Sequence, residues 1–280
     1  MLLGAMDVRF IHSGSLRLDG GAMFGVVPKT LWQKKMPADE RNRCSFACNS
    51  LLIRASGKNI FVETGNGTKW DAKLRDIYAI ESGDPLLVSL QNEGLAPENI
   101  DLVVNTHLHF DHAGGNTRFV NGRAVPAFPN ARYVVQRAEI EHALHPTERD
   151  RASYFPENVT PISESGQWQP VEGNTEILPG VSVERIPGHN ADIQAVKLAG
   201  GGQTIVFIAD LIPSRHHLPL PWIMAYDLYP LQTLETKRKW IADIVRNNWI
   251  VVFGHDPEVP AAKLHDVDGK IEIEPVDLNQ

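Results

Sequence analysis

One run, Thr106-His107-Leu108-His109-Phe110-Asp111-His112-Ala113-Gly114-Gly115, restricts this chain more than any other stretch. Three imidazoles and a carboxylate sit close together as His-x-His-x-Asp-His. The run follows Leu102-Val103-Val104, which reads as a buried strand. A strand that opens into a glycine-containing loop is where α/β proteins place ligand chemistry. Neutral imidazole and carboxylate are donors for zinc and similar divalent ions. The sequence thus predicts a metal site at a sheet edge.

The chain has 280 residues, 42% of them hydrophobic and 22% charged, with no long like-charge run. That composition supports a full core and argues against disorder. A formal net charge of −7 disfavours a nucleic-acid partner, because phosphate binding wants a basic face. The first residues carry no basic segment and too short an apolar one for a signal peptide. No stretch approaches the roughly 20 apolar residues of a membrane span. The expectation is a cytoplasmic protein with a small-molecule substrate and neither membrane nor nucleic acid as partner. Its two cysteines, Cys44 and Cys48, are expected as buried core thiols: four residues apart on a strand lie about 13 Å from each other, beyond disulfide reach.

Along the chain, residues 6–18 read as a first strand and 19–43 as an irregular loop extension near the site. Residues 45–63 read as a hairpin turning at Ser56-Gly57-Lys58-Asn59. Residues 70–80 and 85–93 predict short helices. Beyond the motif, 132–135 predicts a strand, Arg137–Leu144 a helix, and 146–170 a proline-rich loop. Strands are expected at 175–178, 181–186, 193–198, 204–208 and 249–253. Leu231–Val245 predicts the clearest helix, with Leu231, Leu234, Ile241, Ile244 and Val245 on one face and Lys237-Arg238-Lys239 on the wet side. No linker divides the chain, so 1–280 is read as one α/β domain with two sheets face to face and helices outside.

Three downstream residues share the placement of the motif. His189, Asp210 and His255 each end an apolar run. With His107, His109, Asp111 and His112 they form a pattern that resembles the metallo-β-lactamase superfamily of metal-dependent hydrolases, over residues 45–255. The resemblance implies an αβ/βα four-layer sandwich of two mixed sheets. It implies His107, His109 and His189 around a first ion, Asp111, His112 and His255 around a second, and Asp210 bridging both. Two divalent metal ions follow, zinc first, with iron or manganese admitted by the same ligands. A metal-bridging hydroxide would open a lactone or cleave a small ester, and Asp111 would relay the proton. The alternatives are a phosphotriester or phosphodiester hydrolase, a nuclease-like enzyme and a thioesterase of the glyoxalase II kind. A non-catalytic metal-binding module is a further alternative, and a homodimer is also suggested.

Three departures stand out. Glu63-Thr64-Gly65 replaces an Asp-Thr-Gly, Asn190 replaces a Thr after His189, and no tyrosine follows Asp210 closely. The apolar segment His216–Tyr226 either walls a substrate pocket or packs on the core or at a subunit contact. Phe24, His216, His217 and Trp222 are the substrate-contact candidates. His142 and His145 are expected on a solvated helix face, and His12 and His265 carry no expected function.

Overall fold

Ile60 and Val62 point one way and Phe61 the other, and this period of two organises the first half of the chain. The computed structural model describes residues 1–280. Its first sheet is built from β1 (Leu2–Leu3), β2 (Met6–Asp19), β3 (Arg43–Ala55), β4 (Lys58–Val62) and β5 (Leu102–Val104). A separate hairpin, β6 (Thr117–Val120) and β7 (Arg123–Pro126), precedes β8 (Arg132–Gln136) and β9 (Trp168–Val171), which complete the first sheet in the order β1-β2-β3-β4-β5-β8-β9. The second sheet runs in chain order through β10 (Thr175–Leu178), β11 (Val181–Arg185), β12 (Gln194–Gly200), β13 (Gln203–Phe207), β14 (Ile250–Val252), β15 (Ala261–Val267) and β16 (Lys270–Pro275).

Both sheets are mixed. β4, β5, β8 and β9 pair in parallel, as do β13 and β14, and the other pairs are antiparallel. The largest apolar cluster unites Leu51, Ile53, Ile60 and Val62 of the first sheet with Val183, Val196, Leu198 and Phe207 of the second. The opposite face of the first sheet, with Leu52, Phe61 and Val103, packs under Leu86 and Leu90. Strands covered on both faces read as unbroken apolar runs, which is why β5 and β14 are so plain in the sequence. Cys44 and Cys48 are free, buried thiols as expected.

The helices are α1 (Gly20–Phe24), α2 (Lys29–Trp32), α3 (Ala72–Tyr78), α4 (Pro85–Asn92), α5 (Phe110–Ala113), α6 (Arg137–Leu144), α7 (Pro156–Glu164) and α8 (Pro230–Arg246). Asp84 caps α4 through Leu87 N, and Pro85 occupies the first turn, where its missing N–H costs nothing. Leu86 and Leu90, four apart, form its buried stripe.

Four expectations need correction. Residues 19–43 are not structureless: they hold α1 and α2, the first capped by Asp19. Residues 146–170 are not a loop throughout, since they form α7 and the start of β9. Pro161 lies inside α7 and cannot donate to the carbonyl of Glu157, which instead accepts from the Thr117 hydroxyl at 2.6 Å. The buried side of α8 is Thr233, Thr236, Lys237, Trp240, Ile241 and Ile244, while Leu231 is 78% exposed. Its hydroxyls are satisfied inside, Thr233 by Asp227 and Thr236 by Pro187 O, so polar residues occupy places the pattern reserves for leucine. Lys237 is fully buried rather than wet, donating to Pro219 O at 2.8 Å and Trp222 O at 2.9 Å. The β6–β7 hairpin is an addition that the sequence reading did not foresee.

Candidate metal centre

Each candidate ligand leaves the end of a strand or the loop beyond it. His107 follows β5, and His109 starts α5, which carries Asp111 and His112. His189 follows β11, Asp210 lies just beyond β13, and His255 lies beyond β14. The tail of β4 holds the motif in place. Thr64 N donates to His112 O at 2.8 Å, and Gly65 pairs with Ala113. A Cβ on Gly114 would meet Asn66 C at 2.4 Å, and one on Gly115 would meet Thr64 O at 2.3 Å. These two glycines let the tail cross the motif at backbone contact.

All seven candidates meet. His107 Nε2 and His189 Nε2 each lie 3.1 Å from His109 Nδ1. His112 Nε2 and His255 Nε2 lie 3.0 Å apart, with Asp111 oxygens 3.9 and 3.7 Å from them. Asp210 sits between the two groups. Its Oδ1 is 3.3 Å from His112 Nε2 and 3.1 Å from His255 Nε2, and its Oδ2 is 3.4 Å from His189 Nε2. Donor atoms of three sets, His107/His109/His189, His107/His112/Asp210 and Asp111/His112/His255, lie within 4.8 Å of one another.

The donor set fits divalent cations. Ligands about 2.0–2.1 Å from a tetrahedral ion stand about 3.3 Å from each other, close to the separations found here. Asp210 Oδ1 is buried without a formed hydrogen bond, which suits a carboxylate oxygen turned toward a cation. Four imidazoles have their far nitrogens engaged, which frees the near ones as donors. His107 Nδ1 meets Thr106 Oγ1 at 3.0 Å, and His112 Nδ1 donates to Glu63 Oε2 at 2.8 Å. His189 Nδ1 donates to Asp227 Oδ1 at 2.9 Å and His255 Nδ1 to Ala47 O at 2.8 Å.

The buried groups of the cluster act on one another's charge. Burial, then the charges of His112 and His109, push His107 well below the usual imidazole range; burial and His189 do the same to His109. Burial opposes charge on His112 too, but Asp210, Glu63 and Asp111 outweigh it and lift that group well above. Burial also opposes ionisation of Asp210, yet His112, His255 and His189 hold it far below the carboxylate range. Ala209, just before it, sits at φ +50, a costly conformation for a residue with a Cβ.

The departures in the sequence are resolved individually. The longer Glu63 reaches both His112 Nδ1 and, at 2.5 Å, Thr106 N, from a backbone at φ +63. Asn190 donates to Glu139 Oε2 at 3.0 Å. The hydroxyls whose titration feels Asp111 are Tyr78 and Tyr226, both raised chiefly by burial. Sequence reasoning missed Asp227 and Glu139. Glu139 is buried and accepts from Leu108 N, the Tyr154 hydroxyl and Asn190, bracing both the 107–112 loop and the residue after His189.

The substrate-contact candidates fare differently. Phe24 is fully buried, stacked on His217 at 4.8 Å and Trp32 at 5.4 Å. His217 is also buried; it accepts from Ser214 Oγ at 2.8 Å and donates to Met23 O at 2.9 Å. Both are therefore packing residues, offering a substrate no surface. His216 and Trp222 line a separate cavity that none of the seven ligands borders. An aromatic wall instead flanks the motif: Phe110 lies 5.3 Å from Phe155, 5.3 Å from Trp70 and 5.0 Å from Tyr78. His142, expected as solvated, pairs with Asp150 at 2.5 Å.

Comparison with known proteins agrees with this fold. The profile of the metallo-β-lactamase superfamily matches residues 45–255. A solved structure of a probable metal-dependent hydrolase from Staphylococcus aureus is 30% identical, superposes with a TM-score of 0.91, and each chain covers 99% of the other. An N-acyl homoserine lactonase of Bacillus thuringiensis is 29% identical over 196 residues, 69% of this chain and 70% of that protein. AidC, a dizinc quorum-quenching lactonase, shares the fold at a TM-score of 0.83 and 20% identity, over 99% of this chain and 96% of its own. The chain belongs to the metallo-β-lactamase superfamily and is a metal-dependent hydrolase. No helix is long and apolar enough to cross a membrane.

Proposed function

We propose that this protein is a dinuclear hydrolase that opens lactones, with N-acyl homoserine lactones as the first substrates to try. The observation that carries the reading is Asp210, whose two oxygens face two separate sets of imidazoles. In this reading His107, His109 and His189 hold one ion, Asp111, His112 and His255 the other, and Asp210 spans both. Zinc is the expected metal, from the imidazole and carboxylate donors and from the dizinc AidC. When bound, such a pair supplies Lewis acidity and lowers the pKa of water from 15.7 to about 7.

The chain's own residues do the rest. Glu63, Asp227, Thr106 and Ala47 O orient four of the five imidazole rings before any ion binds. Asp111 is 9% exposed, at the edge of the cluster. Its carboxylate takes the proton released as water adds to the carbonyl carbon, then returns it to the alkoxide as the ring carbon–oxygen bond breaks. The product is a hydroxy acid. Trp70, Tyr78 and Phe155, half-buried around Phe110, supply apolar surface next to the motif, suited to an acyl chain. The lactonase relatives support the substrate class.

The test joins elemental analysis of purified protein to a rate panel of acyl homoserine lactones, aryl esters, phosphotriesters and thioesters. Two metal ions per chain and fastest turnover of the lactones are expected. Full metal content with no lactone turnover would overturn the assignment.

A further inference from the structure

A cavity of about 910 Å³ lies between α8, the loop 215–222 and the β15–β16 hairpin. It lies within the size range of small-molecule sites, and none of the seven metal-site residues lines it. Its floor is apolar, formed by Leu218, Leu220, Trp222, Ile241, Val245 and Ile271. Its rim is cationic. Lys35, Arg215, Arg238, Arg246 and Lys270 border it, against the single carboxylate of Asp266. That bias arises in a chain of net charge −7, so it is a local concentration of positive charge.

The cations are not all spoken for. Arg215 is held by buried Asp256 and by Glu258, while Arg238 pairs with exposed Glu235 and Arg246 with half-buried Asp243, each three residues away on the same helix. The Arg238–Glu235 pair is solvent-exposed and therefore weak. Lys35 and Lys270 have no ion-pair partner among residues 1–280. The wall is rigid, because buried Lys237 ties the carbonyls of Pro219 and Trp222 to α8.

We propose that this cavity is a second ligand site, for an aliphatic carboxylate: the chain lies on the Leu218–Ile241–Ile271 floor and the carboxylate meets Lys35 and Lys270. An apolar floor without charge would suit any hydrophobic surface. The cationic rim selects an anion with a tail. The site is independent of the metal centre, so it stands whether or not lactones are the substrates.

The probe is dodecanoate, titrated calorimetrically below its micelle concentration into metal-loaded protein. One site per chain with micromolar affinity is expected. Ala242 is exposed and borders the cavity, so Ala242→Trp fills the space, and the double variant Lys35→Glu/Lys270→Glu reverses the rim. Each should weaken dodecanoate binding by at least ~10-fold and leave hydrolytic turnover unchanged. Dodecyltrimethylammonium, with the same tail and opposite charge, should bind no better than those variants bind dodecanoate. Equal affinity for the two surfactants overturns the role of the rim. Dodecanoate binding undiminished in both variants places the carboxylate at the metal centre and overturns the site. A dimer in sedimentation that Ala242→Trp dissociates assigns the cavity to a second copy of the chain, which also overturns it.

Discussion

Asp227 accepts the Nδ1 proton of His189 across 2.9 Å, while its other oxygen accepts from the Thr233 hydroxyl at 2.6 Å. The carboxylate thereby fixes which His189 nitrogen faces the centre, and α8 in turn fixes the carboxylate. Removing such a partner costs about 10–100-fold in metal affinity or activity. Asp227→Ala should show that loss in a metal titration, with Thr233→Val showing a smaller one. Unchanged metal affinity in Asp227→Ala would mean that the ring is oriented by its other neighbours alone.

Asp210→Ala removes the group that faces both sets of imidazoles. Turnover should fall at least ~100-fold, through loss of the two-metal clamp. Metal content measured alongside separates a lost ion from a misplaced one. Near-normal rates in the variant would dispose of the spanning role.

Glu139 gives the folded chain a defined pH response. Burial raises its pKa from 4.5 to about 7, against the pull of Leu108 N and the Tyr154 hydroxyl. Between these values the folded state holds a proton that the unfolded state has released. Stability from this group is therefore greatest below pH 4.5 and is lost as pH rises toward 7, by up to about 1.4 kcal/mol per unit, or about 3 kcal/mol in all. Denaturant unfolding in the presence of a chelator, from pH 5 to 7, should show this slope in the native chain and not in Glu139→Gln. Parallel curves for the two proteins would contradict it.

Lys237→Met should destabilise the protein by about 1–3 kcal/mol, since it leaves the carbonyls of Pro219 and Trp222 without their donor. At this chain length that corresponds to a fall in Tm of about 2–4 °C per kcal/mol. A thermal melt of the metal-loaded variant measures it. An unaltered melt would show that water replaces the ammonium at no cost.

The seven candidate ligands were legible because each ends a buried strand or falls in one dense motif, and parallel strands bring such ends to one edge of the sheet. Glu63 was visible as a departure, but its reach to both His112 and Thr106 depends on a left-handed backbone that no residue type announces. Asp227 lies between Tyr226 and Leu228 in a loop with no periodicity, and Glu139 sits on a helix whose neighbours Arg137 and Glu141 are exposed. Only tertiary packing distinguishes Glu139 from them. Lys237 was misread for a related reason: a Lys-Arg-Lys run looks solvated until three carbonyls are found around one member. Phe24 and His217 are adjacent in space to aromatic neighbours, not to the centre, and hydropathy alone does not separate those two fates.

The donors come from both sheets: His107 to His112 follow β5 of the first, while His189, Asp210 and His255 follow strands of the second. Neither half of the chain carries a complete set. Cations seated there would act as a rivet through two plates, so that stripping them is felt as loosened cohesion between halves far apart in the chain.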